Sequence, residues 1–506
     1  MNAARVRNAA PLAAVALLAF AVRETLALRG GGGVHASYGY DTSVYYAAAD
    51  ALIHGRIPYR DFVLLHPPMA MVALTPTALL GHLTSDHIGF AAANLGFTLL
   101  GGLNALLVMV TALRWGVSRG ASLLGGLFYA TWLGSVEAEF ACRLEPLGNA
   151  GLLAGLLLAA PPRDGARPDG RRLAYAGVAL ALAASTKIWF IAPAVAVGIW
   201  MTVRYGRASA LQYAAGFALA VAVVDLPFLI LSRGTMFSRV VLDQLGRRPI
   251  GAPQLRWSSI TTVARLPVAR NSTLLIVLAT AVLVAVILFA LRNRAAKFFA
   301  LLVLLQGVVL LVSPSWFGFY ADYLAAPLAL TVAAAAGRLG PAWRGVTGGR
   351  AVASLAVAGA TAGMAAVLLS GGTRFANPWR SLPKLEAVVR HDRCVVSDSP
   401  AGLIELDRLD TGFARGCPDW VDVTGMTYFG RDHTSGSRRH DVGWQRDLVR
   451  YLRRGDAAFI VRAAGDGLTG RAQHRLARGR LLVRVPGATL YQRAAGRGRS
   501  TNLNRV

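Results

Sequence analysis

Apolar runs of bilayer length recur along this chain, separated by short arginine-rich loops, and no other feature restricts its fold as strongly. They lie near 9–28, 87–113, 119–136, 146–160, 173–186, 188–203, 208–231, 273–291, 297–313, 318–337 and 351–370. A helix needs about 20 mostly apolar residues to cross the hydrocarbon core. In lipid the backbone must satisfy its own hydrogen bonds, which favours helices. The pattern predicts an all-α polytopic membrane domain of about 11 transmembrane helices. Composition agrees: 55% of residues are hydrophobic and 16% charged, against about 25% charged in an ordinary soluble domain.

The first run follows Arg5 and Arg7 and could be a signal peptide, but no small-residue cleavage site follows it. It reads as a spanning helix that enters from the cytoplasm and continues to about Leu28 despite Arg23 and Glu24. The runs on either side of Lys187 are short. One long tilted helix would put the C-terminus on the other side, and a hairpin of two short helices is the reading adopted.

Lys+Arg number 53 against 26 Asp+Glu, a formal charge of +27. No basic module with interleaved aromatics accompanies that charge, which sets nucleic acid aside. The short loops carrying Arg114 and Arg119, Arg171 and Arg172, Arg204 and Arg207, and Arg292 and Arg294 fall on the same side as the N-terminus. Such loops stay in the cytoplasm, so the first loop (30–68), the loop after the seventh span and everything beyond Gly371 are expected outside, in a plasma-membrane protein.

The transmembrane domain is expected over 1–371, a small extracytoplasmic α/β domain over 372–495 and a disordered basic tail over 496–506. Within the second domain, Trp379–Arg390 and Trp444–Arg453 read as helices. Cys394–Ser397, Ala457–Arg462, Leu481–Val485 and Thr489–Gln492 read as strands. Cys394 and Cys417 lie on the oxidising side, where a disulfide is the first expectation and two unpaired thiols the alternative. The three cysteines, with Cys142, show no metal-ligand spacing.

Ionisable residues gather on the external face. The first loop opens with Tyr40-Asp41, and Thr42–His54 suits a helix, expected to lie in the interface with its aromatics at headgroup level. Asp41 stands at the start of this helix, where it could equally be an ordinary N-cap. Glu137, Glu139, Arg143 and Glu145 follow in one turn, Lys187 sits between two spans, Asp225 lies inside the seventh near its outer end and Asp322 lies where the tenth begins. An i,i+4 pair with Glu139 is the alternative use of Arg143, and snorkelling that of Lys187. The loop 232–272 adds Arg233, Arg239, Arg247, Arg248, Arg256, Arg265 and Arg270 against one acid, Asp243. These would serve a phosphate site or anionic headgroups.

This layout resembles the GT-C superfamily of membrane glycosyltransferases. The resemblance rests on Tyr40-Asp41 with Tyr45-Tyr46, on Gly55-Arg56-Ile57-Pro58-Tyr59-Arg60-Asp61-Phe62, on His66-Pro67-Pro68, on Arg143-Leu144-Glu145-Pro146 and on the Lys187 hairpin. It covers most of residues 1–337 and looks most like actinobacterial enzymes dependent on polyprenyl-phosphate sugars. It implies transfer of a sugar, mannose or arabinose, from a polyprenyl-phosphate-linked donor to a glycan or glycolipid acceptor outside the bilayer, with inversion. Asp41 would be the base, Lys187, Arg143, Arg247 and Arg248 would hold donor phosphate, and Glu145, Asp61, His66, Tyr320 and Asp322 would hold sugar or acceptor. Many relatives place two acids side by side in the first loop, whereas Asp41 is followed by Thr42. No cofactor is expected, and no metal is expected at this site. A transporter or lipid-linked-sugar flippase and a non-catalytic envelope assembly protein are the competing readings.

Overall fold

The computed structural model describes residues 3–29, 32–162, 168–245, 253–262, 272–292, 294–339, 382–425, 438–461, 467–485 and 487–493. The last span at 351–370, the domain boundary near 371 and the tail 496–506 lie outside the described residues.

Every other apolar run is helical. In chain order the helices are α1 (Ala3–Arg29), α2 (Tyr40–Ile53), α3 (Met69–Leu83), α4 (Asp86–Arg114), α5 (Arg119–Thr131), α6 (Leu133–Glu139), α7 (Leu144–Ala159), α8 (Gly170–Thr186), α9 (Ile191–Tyr205) and α10 (Arg207–Val224). The helices Thr273–Leu291, Arg294–Val312 and Ala325–Leu339 follow. Among the described residues, six helices are long and apolar enough to cross a membrane by length and composition. This is a multi-pass membrane protein.

Two expectations change. Helix α3 was not anticipated: its apolar run, shorter than a full span, follows directly on the polar loop. The run 119–136 breaks into α5 and α6 at Trp132, whose backbone is extended.

The Lys187 hairpin is present. Lys187 itself is extended, with φ −147° and ψ 123°, and the chain reverses so that Tyr205, ending α9, lies within electrostatic reach of Arg172 at the start of α8. Helices α8 and α10 pack at backbone distance, because a Cβ on Gly177 would collide with the Tyr213 carbonyl and one on Gly216 with that of Ala174. Small residues at such contacts are how helices approach closely in lipid, where no hydrophobic force drives them together.

Helix α4, 29 residues long, spans about 43 Å and marks the two ends of the bundle. At its C-terminal end Trp115 packs on Trp200 and Phe298, with ring centroids 5.0 and 5.8 Å apart, gathering the arginine-rich turns. At its N-terminal end sits the C-terminal domain. Asp86 accepts the amides of Leu409 (2.8 Å) and Asp410 (3.2 Å), while its own amide donates to Asp407 (2.7 Å).

That domain holds a four-stranded sheet of β1 (Val395–Ser397), β2 (Ala457–Ile460), β3 (Arg480–Val485) and β4 (Ala488–Arg493) in the order β1-β2-β4-β3. The β1–β2 pair is parallel, β2–β4 and β4–β3 are antiparallel. A disulfide joins Cys394 and Cys417, with Cα atoms 5.5 Å apart.

Helix α2 is a further correction. Ten of its residues are buried, and it packs between α3 and the helices Pro400–Glu405 and Leu409–Ala414. Tyr46 lies fully inside, edge-on to Phe90 at 5.5 Å. With apolar residues all round and a domain above it, this helix keeps its aromatics in protein rather than among headgroups.

Candidate functional site

Four chain turns meet beneath the C-terminal domain. Gly39 begins α2 at φ +89°, a backbone that L side chains rarely adopt. This glycine occupies the N-cap, so Asp41 falls in the first helical turn, half-buried, and is not the cap. Arg143 precedes α7, and Glu145 lies in its first turn. Lys187 ends α8. Tyr320 and Asp322 lie in the 3₁₀ turn Gly318–Leu324.

Lys187 donates to Glu145, and both side chains are almost fully buried. Its ammonium rests 3.7 Å from the ring centres of both Trp189 and Tyr320, an aromatic cradle that favours a cation. The Arg143 guanidinium stacks on Phe319 at 3.8 Å and donates to the Tyr38 carbonyl at 3.2 Å. Burial draws this guanidinium below its ordinary range, and Asp41, Glu145 and Glu137 act in the opposite direction. Tyr45 senses the same neighbours: burial, then Asp41, Glu145, Tyr320 and Asp422, push its phenol well above the usual range. Asp41, Arg143 and Glu145 therefore lie within electrostatic reach of Tyr45, and Lys187 joins them through Glu145.

His66 faces Tyr45 edge-on at 6.0 Å, held by the Tyr59 hydroxyl donating to the His66 carbonyl at 2.7 Å. Asn149 donates to the Asp322 carbonyl at 2.8 Å, and the Asp322 side chain is fully buried.

Asp61 is not among these groups. It is exposed, receives the Ile57 amide at 2.8 Å and pairs with Arg60 at 2.8 Å, so it closes its own turn. Arg247 and Arg248 lie outside the described residues. Of the other loop arginines, Arg256 is buried and caps the Arg294–Val312 helix by donating to the carbonyls of Leu311, Ser313 and Pro314, and Arg239 pairs with Asp243 at 2.9 Å. Glu139 is taken by Arg23, with further bonds from Asn104 (2.9 Å) and Tyr129 (2.6 Å). The i,i+4 pair with Arg143 is absent because this acid turns into the bundle.

The sequence reading missed the aromatic partners Trp189 and Phe319, although each lies within three residues of a named site residue. It also missed Asp422, whose carboxylate accepts from Tyr40 at 3.0 Å and brings the C-terminal domain to the rim. Trp189 and Tyr320, which cradle Lys187, also line a cavity of about 400 Å³ whose other walls are mainly apolar, among them Ile188, Val240, Val241 and Leu245.

No protein-family model matches the sequence, and no curated protein matches it. Solved structures do. ArnT from Cupriavidus metallidurans bound to undecaprenyl phosphate superposes with a TM-score of 0.61 at 14% identity, over 95% of this chain and 97% of that one. This chain has the fold of that GT-C membrane protein. Two further structures share the fold over part of their length. The oligosaccharyltransferase of Archaeoglobus fulgidus, in complex with Zn and sulfate, gives a TM-score of 0.50 at 13% identity, over 78% of this chain and 61% of that one. The mycobacterial arabinofuranosyltransferase AftD gives 0.51 at 16% identity, over 95% of this chain and 41% of that one.

Proposed function

We propose that this protein is a membrane glycosyltransferase that moves a sugar, mannose or arabinose, from a polyprenyl-phosphate donor to a glycan or glycolipid acceptor outside the bilayer. The observation that carries the proposal is the juxtaposition of the Lys187–Glu145–Arg143 cluster with a mainly apolar cavity. A lipid-linked phosphate needs both a cation at its head and an apolar channel for its tail. The likeness to a transferase bound to undecaprenyl phosphate supports the same reading.

In this mechanism Asp41 takes the acceptor hydroxyl proton as the oxygen attacks the anomeric carbon, with inversion. Lys187 and Arg143 stabilise the charge that develops on the departing polyprenyl phosphate, a role these two cations fill without a metal at Asp41. Glu145 holds Lys187 before the phosphate arrives, and His66, Tyr320 and Asp322 contact sugar or acceptor hydroxyls. The N-terminus is cytoplasmic and the C-terminal domain external. The arginine-rich turns, at the opposite end of α4 from that domain, support this orientation.

The test is transfer by purified protein from synthetic polyprenyl-phosphate mannose and arabinose donors. Covalent product or donor hydrolysis is expected from one donor and lost in Asp41→Asn. Movement of donor across liposomes without covalent change would establish the flippase reading instead.

A further inference from the structure

A second cluster lies away from Asp41, at the other end of α2. His54 caps that end, His82 sits in the last turn of α3, and Asp410 lies in the first turn of the Leu409–Ala414 helix of the C-terminal domain. One Asp410 carboxylate oxygen lies 2.8 Å from His82 Nδ1 and 3.3 Å from His54 Nε2. All three candidate donor atoms fall within 4.8 Å of one another.

The hydrogen-bond pattern makes this arrangement informative. His54 Nδ1 lies 2.9 Å from the Asp50 carbonyl oxygen. A carbonyl can only accept, so Nδ1 carries a hydrogen and the ring presents Nε2 to Asp410. Nε2 is buried, makes no hydrogen bond and lies 3.3 Å from a carboxylate oxygen of Asp410. A ring nitrogen and a carboxylate oxygen 3.3 Å apart with no hydrogen bond between them are spaced as two donors to one shared cation. An imidazole whose far N–H is held by a backbone carbonyl is also how metal-binding histidines are commonly oriented. The Asp50 carboxyl lies beside the same ring. It is 1% exposed, neither oxygen has a hydrogen-bond partner, and one lies 3.8 Å from His54 Nδ1.

We propose that His54, His82 and Asp410 bind a zinc ion that clamps the C-terminal domain onto the first external loop. Two imidazole nitrogens and one carboxylate oxygen suit zinc, whose bonds of about 2.0–2.2 Å place tetrahedral donors roughly 3.4 Å apart. The site is preorganised. Asp86 fixes the Asp410 backbone through two amides, so a small side-chain movement brings the three donors to bonding distance. His82 is 47% exposed and provides the entrance. The proposal does not depend on the transferase reading, and it places the metal away from the Asp41 chemistry.

The test uses the untagged full-length protein in detergent, stripped with chelator and titrated with Co²⁺ and then Zn²⁺. The expected result is one equivalent of cobalt with a visible absorption band, displaced by zinc, and a higher unfolding midpoint with zinc. Outer-shell changes typically cost 10–100-fold in affinity, so loss of a ligand in His82→Gln should exceed about 100-fold. His82 is half-exposed, and metal-free His82→Gln should unfold at the same midpoint as metal-free wild type, which separates lost binding from misfolding. Absence of both the cobalt band and the zinc-dependent shift in wild type would overturn the site. So would undiminished affinity in both His82→Gln and His54→Gln.

Discussion

Lys187 and Glu145, 42 residues apart in the chain, form an ion pair whose side chains are 3% and 1% exposed. Removing one partner of such a pair leaves a buried charge and costs about 3–5 kcal/mol. Lys187→Met should therefore lower the unfolding midpoint in detergent, and Lys187→Met/Glu145→Leu should restore most of it. Sugar transfer should be lost in both variants, because the double variant removes the strain but not the need for a cation at the phosphate. Recovery of turnover along with stability would show that Lys187 serves the fold alone.

Asp41→Asn should leave folding intact, since Gly39 occupies the N-cap and Asp41 is only half-buried. A positioned general base contributes about 10²–10⁴-fold, and the loss should fall on kcat with KM little changed. Steady-state kinetics on the purified variant decides the point, and near-normal kcat would remove Asp41 from the base role.

Burial pushes the Glu405 carboxyl from its usual 4.5 up to about 7, with His87 opposing. The folded chain then holds this proton more tightly than the unfolded chain does. Stability is full below about pH 4.5 and declines as pH rises through 7. Glu405→Gln should flatten that decline and be more stable than wild type at pH 8, by at most about 3 kcal/mol. Thermal unfolding across pH 4–8, conditions chosen to bracket both values (about pH 4.5 to 7), measures it. An identical slope in the variant would contradict the assignment.

The Cys394–Cys417 bridge closes a sequence separation of 23 residues, for which chain-entropy arguments give about 3 kcal/mol. Cys394→Ser/Cys417→Ser should destabilise the C-terminal domain by that order. It should also loosen the docking contact in which Arg56 donates to the Cys417 carbonyl at 2.7 Å. Limited proteolysis of variant and wild type should show faster cleavage near this contact, and equal rates would place the anchor elsewhere.

What could be read directly from the chain was whatever depends on neighbours in sequence. The apolar runs mark the helices because a spanning segment must be apolar along its length. The strands of the C-terminal domain were legible from short apolar stretches, and β1 and β2 match them to within two residues at either end. Asp41, Arg143, Glu145 and Lys187 stood out because charge is conspicuous in an apolar background. The assignment of partners lay beyond that reach. Arg23 and Glu139 are 116 residues apart, and Tyr40 and Asp422 are 382 apart. Nothing local distinguishes Glu139, consumed by a buried arginine, from Glu145, which holds a lysine beside a cavity. Asp61 shows the same limit in reverse: its motif suggested a site, yet its own turn claims the carboxylate. Only the packed bundle, by deciding which buried charges meet and which face water, separated the groups that support the fold from those left for chemistry.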